Sequence, residues 1–240
     1  MPRKTLEGLR GMTDAILTKI RQRGINTITG LKNAVRNKDV AVPKIMEYDL
    51  QYNISRNIPR AKITQILSYF TKQEMQSMTP VGSYRRGAMF SKDIDLLIQS
   101  APLTKGADIG AHSTKGADIG APLRTLAKRG FDVKIYTNGE KRKSAIIKPP
   151  GEVVYYMLDL FSTQKDDMAF ALLHHTGNMM LNIKMRLKAK NMGFKLNQYG
   201  LFKMPISKLG KKYKHSDFPS EKSIFDFLDM EYLLPEDRTI

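Results

Sequence analysis

The chain contains no cysteine, which excludes a disulfide framework and any zinc site built on thiolates. Histidine is nearly as scarce. The four present, His112, His174, His175 and His215, are too scattered for a histidine metal cluster. No hydrophobic run approaches the roughly 20 residues that cross a bilayer. The opening "MPRKTLEGLRG" has no apolar core of signal-peptide length. The expectation is a soluble intracellular protein with no membrane partner. Acid is also in short supply: 40 Lys+Arg stand against 23 Asp+Glu in 240 residues, a formal net charge of +17. So large a surplus favours a polyanionic partner, nucleic acid ahead of an anionic membrane surface. Hydrophobic residues make up 41%, enough for a packed core, and the length allows one large domain or two to three small subdomains.

Residues 1–57 read as short helices joined by turns, for example "TDAILTKIRQRG" and "NTITGLKNAVRNK". In "LEGLRG", Gly8 and Gly11 flank a turn just before a helix, where backbone N–H groups can meet a phosphate. "IPRAKITQILSYFTKQEMQ" reads as one helix with Ile63, Ile66, Leu67 and Phe70 on one face and Pro59 suited to its first turn. "MTPVGSYRRG" is a short strand entering a turn, and "DIDLLIQS" the next strand. The octet "TKGADIGA" then occurs twice, and two copies are too few for a solenoid. It reads as a flexible loop with solvated Asp108 and Asp118. After the short helix "LRTLAKRG", Asn138-Gly139 between two alternating runs signals a hairpin. "GEVVYYMLDLFS" is a further strand, so the sheet is mixed, with at least four strands. Two helices ("MAFALLHHTGN", "MMLNIKMRLKAKNMG"), a strand–turn–strand ("FKLNQYGLFK") and a last short helix ("SEKSIFDFLDM") complete the chain. "KLGKKYKH" reads either as a nuclear address or as a DNA-contacting loop.

The chemistry concentrates in "VGSYRRGAMFSKDIDLLI". Side chains alternate along a strand, so Asp93 and Asp95 point the same way, ~7 Å apart. Burying two like charges is costly unless something neutralises them. A hard cation such as Mg2+ would do so, taking carboxylate oxygens and keeping water or phosphate as other ligands. An exposed edge strand with two solvated acids is the plainer alternative. The flanks favour the metal. Gly82-Ser83 forms a turn at a strand end whose N–H groups and hydroxyl suit a phosphate oxygen, and Arg85 and Arg86 follow with guanidinium groups able to bind phosphate. Metal and phosphate sites in one segment are what phosphoryl or nucleotidyl transfer requires. Asp159 in "VVYYMLDLF", a lone acid among apolar residues, is a candidate third carboxylate.

These residues resemble DNA polymerases of family X, the polymerase beta-like enzymes. The family's G-S-[FY]-R-R-G and D-x-D are matched by Gly82-Ser83-Tyr84-Arg85-Arg86-Gly87 and Asp93-Ile94-Asp95, and its third aspartate by Asp159. Its "YFTG" element resembles His174-His175-Thr176-Gly177, and its Asn and Arg four apart resemble Asn182 and Arg186. "RGINTITGL" and "LEGLRG" are similar to its helix-hairpin-helix region, "SIFDFLDMEYLLPEDR" to its C-terminal end, and "KLNQYGLF" to its small viral members.

The resemblance implies an α+β fold: a nucleotidyltransferase palm with a mixed sheet (58–165), preceded by a helical DNA-binding subdomain (1–57) and followed by a small α+β nucleotide-selecting subdomain (166–240). It implies a DNA-directed polymerase filling short gaps in repair. Two Mg2+ ions, with Mn2+ as a substitute, would sit on Asp93, Asp95 and Asp159. Ser83 and Arg86 beside Gly82 would bind phosphates, and His174, His175 and Gly177 would line the sugar pocket. Met179 and Asn182 would meet the incoming base. Arg186, Lys184, Gly8, Arg10 and Gly11 would contact DNA. The partners would be gapped or primed duplex DNA and deoxynucleoside triphosphates, bound by a monomer. Three departures stand out. There is no room for the larger members' lyase domain, two histidines replace an aromatic pair, and Met157 stands where the family has an arginine two residues before the third aspartate. The other readings are a template-independent or RNA-tailing nucleotidyltransferase, and a non-catalytic DNA-binding protein on a palm fold.

Overall fold

The computed structural model describes residues 5–99, 118–204 and 217–238. "KLGKKYKH" and most of the duplicated segment lie outside these. The chain divides into two compact units, one running to Ser55 with Gly151–Tyr155 added, the other comprising Arg56–Pro150 and Tyr156 onward.

The first unit holds α1 (Asp14–Gln22), α2 (Ile28–Arg36) and α3 (Lys44–Gln51). Thr13 and Thr27 cap the first two, their hydroxyls accepting from the N–H of Ile16 and Gly30, which satisfies donors a helix start otherwise leaves open. Leu6, Leu9, Ile20, Leu31 and Met46 bury together as its core. The added segment docks through backbone: Tyr155 N–H donates to Asn53 O and Ser55 N–H to Tyr155 O, each at 2.8 Å.

The second unit begins with β1 (Ile58–Pro59), α4 (Arg60–Leu67) and α5 (Lys72–Met75). The single helix expected here is therefore two. The break falls at Thr71, whose hydroxyl and the Glu74 side chain form a capping box that starts α5 afresh. Pro59 sits just ahead of α4 in extended backbone, paired within β1, rather than in the first turn. There follow β2 (Met78–Pro80), α6 (Gly82–Arg85), β3 (Phe90–Ser91), β4 (Ile94–Gln99), α7 (Ala121–Lys128), β5 (Asp132–Asn138), β6 (Arg142–Lys148) and β7 (Tyr156–Thr163). The subdomain after the sheet is α8 (Met168–Thr176), α9 (Met179–Asn191), the hairpin β8 (Phe194–Asn197) and β9 (Gly200–Lys203), and α10 (Glu221–Phe227).

The main sheet runs β2-β4-β7-β6-β5. Only its β4–β7 pair is parallel, so the sheet is mixed and the fold α+β, as expected. A parallel pair needs a crossover, which α7 and the β5–β6 hairpin provide. That hairpin turns across residues 139–142, with Gly139 N–H donating to Arg142 O at 2.9 Å and Asn138 opposite Lys143. The turn is thus longer than the two-residue Asn-Gly turn expected, because Asn138 still belongs to the ladder and accepts from the Lys143 ammonium. Leu97 is fully buried with Val81 and Ala171, joining β4 to α8. Among the described residues no helix is long and apolar enough to cross a membrane.

Leu97→Ala should cost about 2–5 kcal/mol of stability through lost burial and a residual cavity. Urea unfolding followed by circular dichroism reads this directly.

Candidate active site

Parallel pairing sets Asp95 directly opposite Asp159, flanked by the pairs Ile94↔Leu158 and Leu96↔Leu160. Directly opposed residues share a sheet face, so both carboxylates stand on one side. Asp93 lies one residue before β4 begins, not within the strand as the sequence pattern suggested. Its carboxylate still joins the other two: one oxygen from each of Asp93, Asp95 and Asp159 lies within 4.8 Å of the others. Burial first, then the charges of Asp93 and Asp159, push the Asp95 carboxyl up from 3.8 to about 8, while Arg142 and Arg86 pull it back. An oxygen donor set this compact, made of three carboxylates, fits a hard divalent cation.

Two side chains of β6 fix Asp159. Register places Ser144 opposite it and Arg142 opposite Phe161. The Ser144 hydroxyl donates to Oδ1, and Arg142 Nη2–H donates to Oδ2 at 3.0 Å. Sequence reading missed both. The signal available was a polar residue and a cation two apart at the start of an otherwise apolar strand.

Gly82 explains itself by contact. A Cβ built there would lie 2.0 Å from Asp95 Oδ2, and its φ of +61° is one that residues with side chains rarely adopt. Only glycine lets α6 start this close to the carboxylates. Ser83 Oγ donates to Ser91 Oγ at 2.7 Å. Arg86 Nη1–H donates to Thr176 O at 2.5 Å and lies 3.4 Å from where a Gly177 Cβ would stand. Gly82, Ser83, Arg86 and Gly177 therefore gather on the side of the sheet end that carries Asp95. Arg85, read beforehand as a phosphate ligand, is committed elsewhere. It forks onto buried Glu221 at 2.6 and 3.1 Å and onto Thr176 Oγ1 at 2.6 Å. Glu221 also accepts from fully buried Arg238 at 2.7 Å. The bidentate geometry that suits a phosphate here serves an internal carboxylate.

His175 stacks on Phe161 with ring centroids 4.1 Å apart. Burial, then His174 and Arg142, hold it down at about 3, so the ring is neutral. His174 is lowered too, by burial and by Arg186, whose Nη2 lies 3.1 Å from His174 Nδ1. Asn182 donates to His174 O at 2.8 Å. His174, Asn182 and Arg186 thus form one contact set, while Met179 and Lys184 are exposed on α9.

In the first unit the "LEGLRG" turn differs from expectation. Gly8 N–H donates to Thr5 Oγ1, Arg10 N–H to Asp49 Oδ2 at 2.9 Å and Arg10 Nη2–H to Ser55 O at 2.7 Å. Arg10 is turned inward as a tie rather than outward toward DNA. Gly11 has φ +78°, and a Cβ there would lie 3.0 Å from the Ile45 side chain, so its role is the close turn. Asp118 is exposed, as expected, and pairs with Arg124.

The family profile for the DNA polymerase beta thumb matches residues 171–239. DNA polymerase lambda of Arabidopsis thaliana is 25% identical over 96% of this chain, which spans 45% of that relative's length. Repair DNA polymerase X of African swine fever virus is 27% identical over 68% of this chain and 82% of the viral protein. A crystal structure of Leishmania infantum polymerase beta in a ternary P/T complex superposes with TM-score 0.80 at 21% identity, covering 98% of this chain and 97% of the other. These similarities, in sequence and in fold, point to DNA polymerase family X. A second Leishmania infantum polymerase beta structure, the ternary gap complex, gives TM-score 0.74 over 92% of this chain. The stretch matched by the thumb profile runs from within α8 through α10.

The raised Asp95 carboxyl carries a pH consequence. Between about 4 and about 8 the metal-free folded protein holds one proton more at this group than the unfolded chain. Stability from this source is complete below pH ~4 and is lost as pH rises toward ~8. Urea unfolding of the EDTA-treated protein should show this decline, and Asp95→Asn should flatten it.

Proposed function

We propose that this chain is a DNA-directed DNA polymerase that adds deoxynucleotides to a primer 3′-hydroxyl and fills short gaps in DNA repair. One observation carries the reading: two carboxylates on paired strands and a third just ahead of β4 converge within 4.8 Å, beside the glycine turn that holds Ser83 and Arg86. Relatives named as polymerases support it, and so does the net charge of +17. Asp93, Asp95 and Asp159 would hold the Mg2+ ions, with Mn2+ able to replace them. When bound, such ions lower the pKa of an attacking hydroxyl and neutralise charge on the transferred and leaving phosphates.

The chain's own residues do the rest. Asp159 is the carboxylate nearest β6, where Ser144 and Arg142 hold it in one orientation. The Ser83 hydroxyl and Arg86 offer donors to a triphosphate, and Gly82 keeps that cradle against Asp95. Gly177, without a side chain, leaves room for a sugar, and the neutral rings of His174 and His175 line that space. Met179 and Asn182 face the base, and Arg186 and Lys184 the template backbone. Residues 1–57 would grip duplex backbone through Lys19, Lys32, Arg36 and Lys38, all exposed. We take residues 58–165 as the palm and 166–240 as the nucleotide-selecting part, working as a monomer.

The test is extension of a primer on a one-nucleotide-gapped duplex with Mg2+, against each deoxynucleotide and against a template-free primer. Templated addition is expected, with Asp95→Ala lowering it by at least ~1,000-fold while leaving DNA binding intact. Equal extension without template would favour a tailing enzyme. Unchanged extension by Asp95→Ala would refute the catalytic reading. Binding should also weaken steeply with salt, as backbone neutralisation releases counterions. A fluorescence-anisotropy titration between ~50 and ~200 mM salt measures that slope.

A further inference from the structure

Arg142 joins the carboxylate cluster on unequal terms. Its guanidinium donates to Asp159 Oδ2 at 3.0 Å, yet the Arg142 side chain is 55% exposed while that of Asp159 is only 6% exposed. The acid is fixed on a central strand with its other oxygen held by Ser144. The cation stands at the first residue of β6, a long side chain with water to move into. Its guanidinium lies 5.5 Å from the Phe161 ring centroid, a weak tether. Arg86, the other cation acting on Asp95, has Nη1 committed to Thr176 O.

A divalent ion and a guanidinium compete for one carboxylate oxygen, and their like charges repel at that distance. We propose that Arg142 is a displaceable counter-ion of the carboxylate cluster: it holds Asp159 in the metal-free protein and must let go for a divalent ion to load. This rests on the reading of Asp93, Asp95 and Asp159 as metal ligands. Arg142 is a positioning residue. It keeps the empty cluster from repelling itself apart and holds the metal affinity of the free protein down. It approaches Asp159 from the neighbouring strand, on the side of Phe161, whereas position 157, where family X has an arginine and this chain a methionine, lies toward the other end of β7.

A purely structural salt bridge predicts the opposite sign. Losing it would loosen Asp159 and weaken metal binding. Losing a competing counter-ion strengthens metal binding while weakening the metal-free fold.

The experiment is Mn2+ titration of the full-length, EDTA-treated protein without DNA or nucleotide. Free Mn2+ is read by electron paramagnetic resonance, and Tm is measured with and without Mn2+. Arg142→Met should bind Mn2+ about five- to tenfold more tightly than the parent, an effect on the scale of one partly exposed ion pair. It should also show a lower metal-free Tm and a larger Mn2+-induced rise. Arg142→Lys, which keeps the charge but not the fork, should show the same trend at smaller size, and it carries the test if the methionine variant does not fold. Equal or weaker binding by the variants would overturn the counter-ion role. If the parent binds Mn2+ and Asp95→Ala abolishes that binding, the metal reading survives such a result. If the parent takes up no Mn2+, or Asp95→Ala leaves uptake unchanged, both fall.

Discussion

The register of one parallel strand pair governs this molecule. With Asp95 opposite Asp159 on β4 and β7, two carboxylates must share a few ångströms of space at the centre of a sheet, and Asp93 joins them from the approach to β4. Clustered acids of this kind are unfavourable by themselves, since each disfavours ionisation of the next. The elevated Asp95 carboxyl is the direct expression of that conflict. Most of what surrounds the cluster answers it. Ser144 and Arg142 occupy the two oxygens of Asp159, and Arg86 adds positive charge near Asp95. Apolar residues would fill the same sheet at lower cost, which marks the cluster as a candidate functional site.

A second network holds the Gly82–Ser83 turn to α8 and α10. Glu221, at the first residue of α10, is buried between Arg85 of α6 and Arg238 near the C-terminal end, and Arg85 reaches Thr176 at the close of α8. A buried carboxylate between two guanidinium groups contributes mainly through completeness, since removing one partner strands the others. By occupying Arg85, the network leaves Arg86 as the arginine of the pair directed at the carboxylate side. Adjacent arginines in one short helix thereby acquire separate tasks.

Much of this was legible in the sequence, and its limits are physical. The strands, the mixed sheet and the three acids were readable because each leaves a local trace: alternation, a turn dipeptide, a lone acid in an apolar run. Position along the chain was less readable. Thr71 and Glu74 end one helix and begin another inside a continuous helical pattern, because capping competes with propensity where the energies are close. The β5–β6 turn moved past Asn138-Gly139 because Asn138 was retained by the ladder. Least visible were partners far apart in sequence. Nothing near Arg142 announces Asp159, nothing near Glu221 announces Arg85, and the inward turn of Arg10 depends on Asp49 and Ser55. These are properties of the folded register and not of any local window.

The central claim is that Asp93, Asp95 and Asp159 together form a divalent-cation site. Anomalous diffraction from crystals grown with Mn2+ and a non-hydrolysable deoxynucleoside triphosphate measures it most directly. The account predicts anomalous density between the three carboxylates, with the triphosphate against Ser83 and Arg86. Manganese density elsewhere on the chain, with these carboxylates bare and the nucleotide bound, would contradict it.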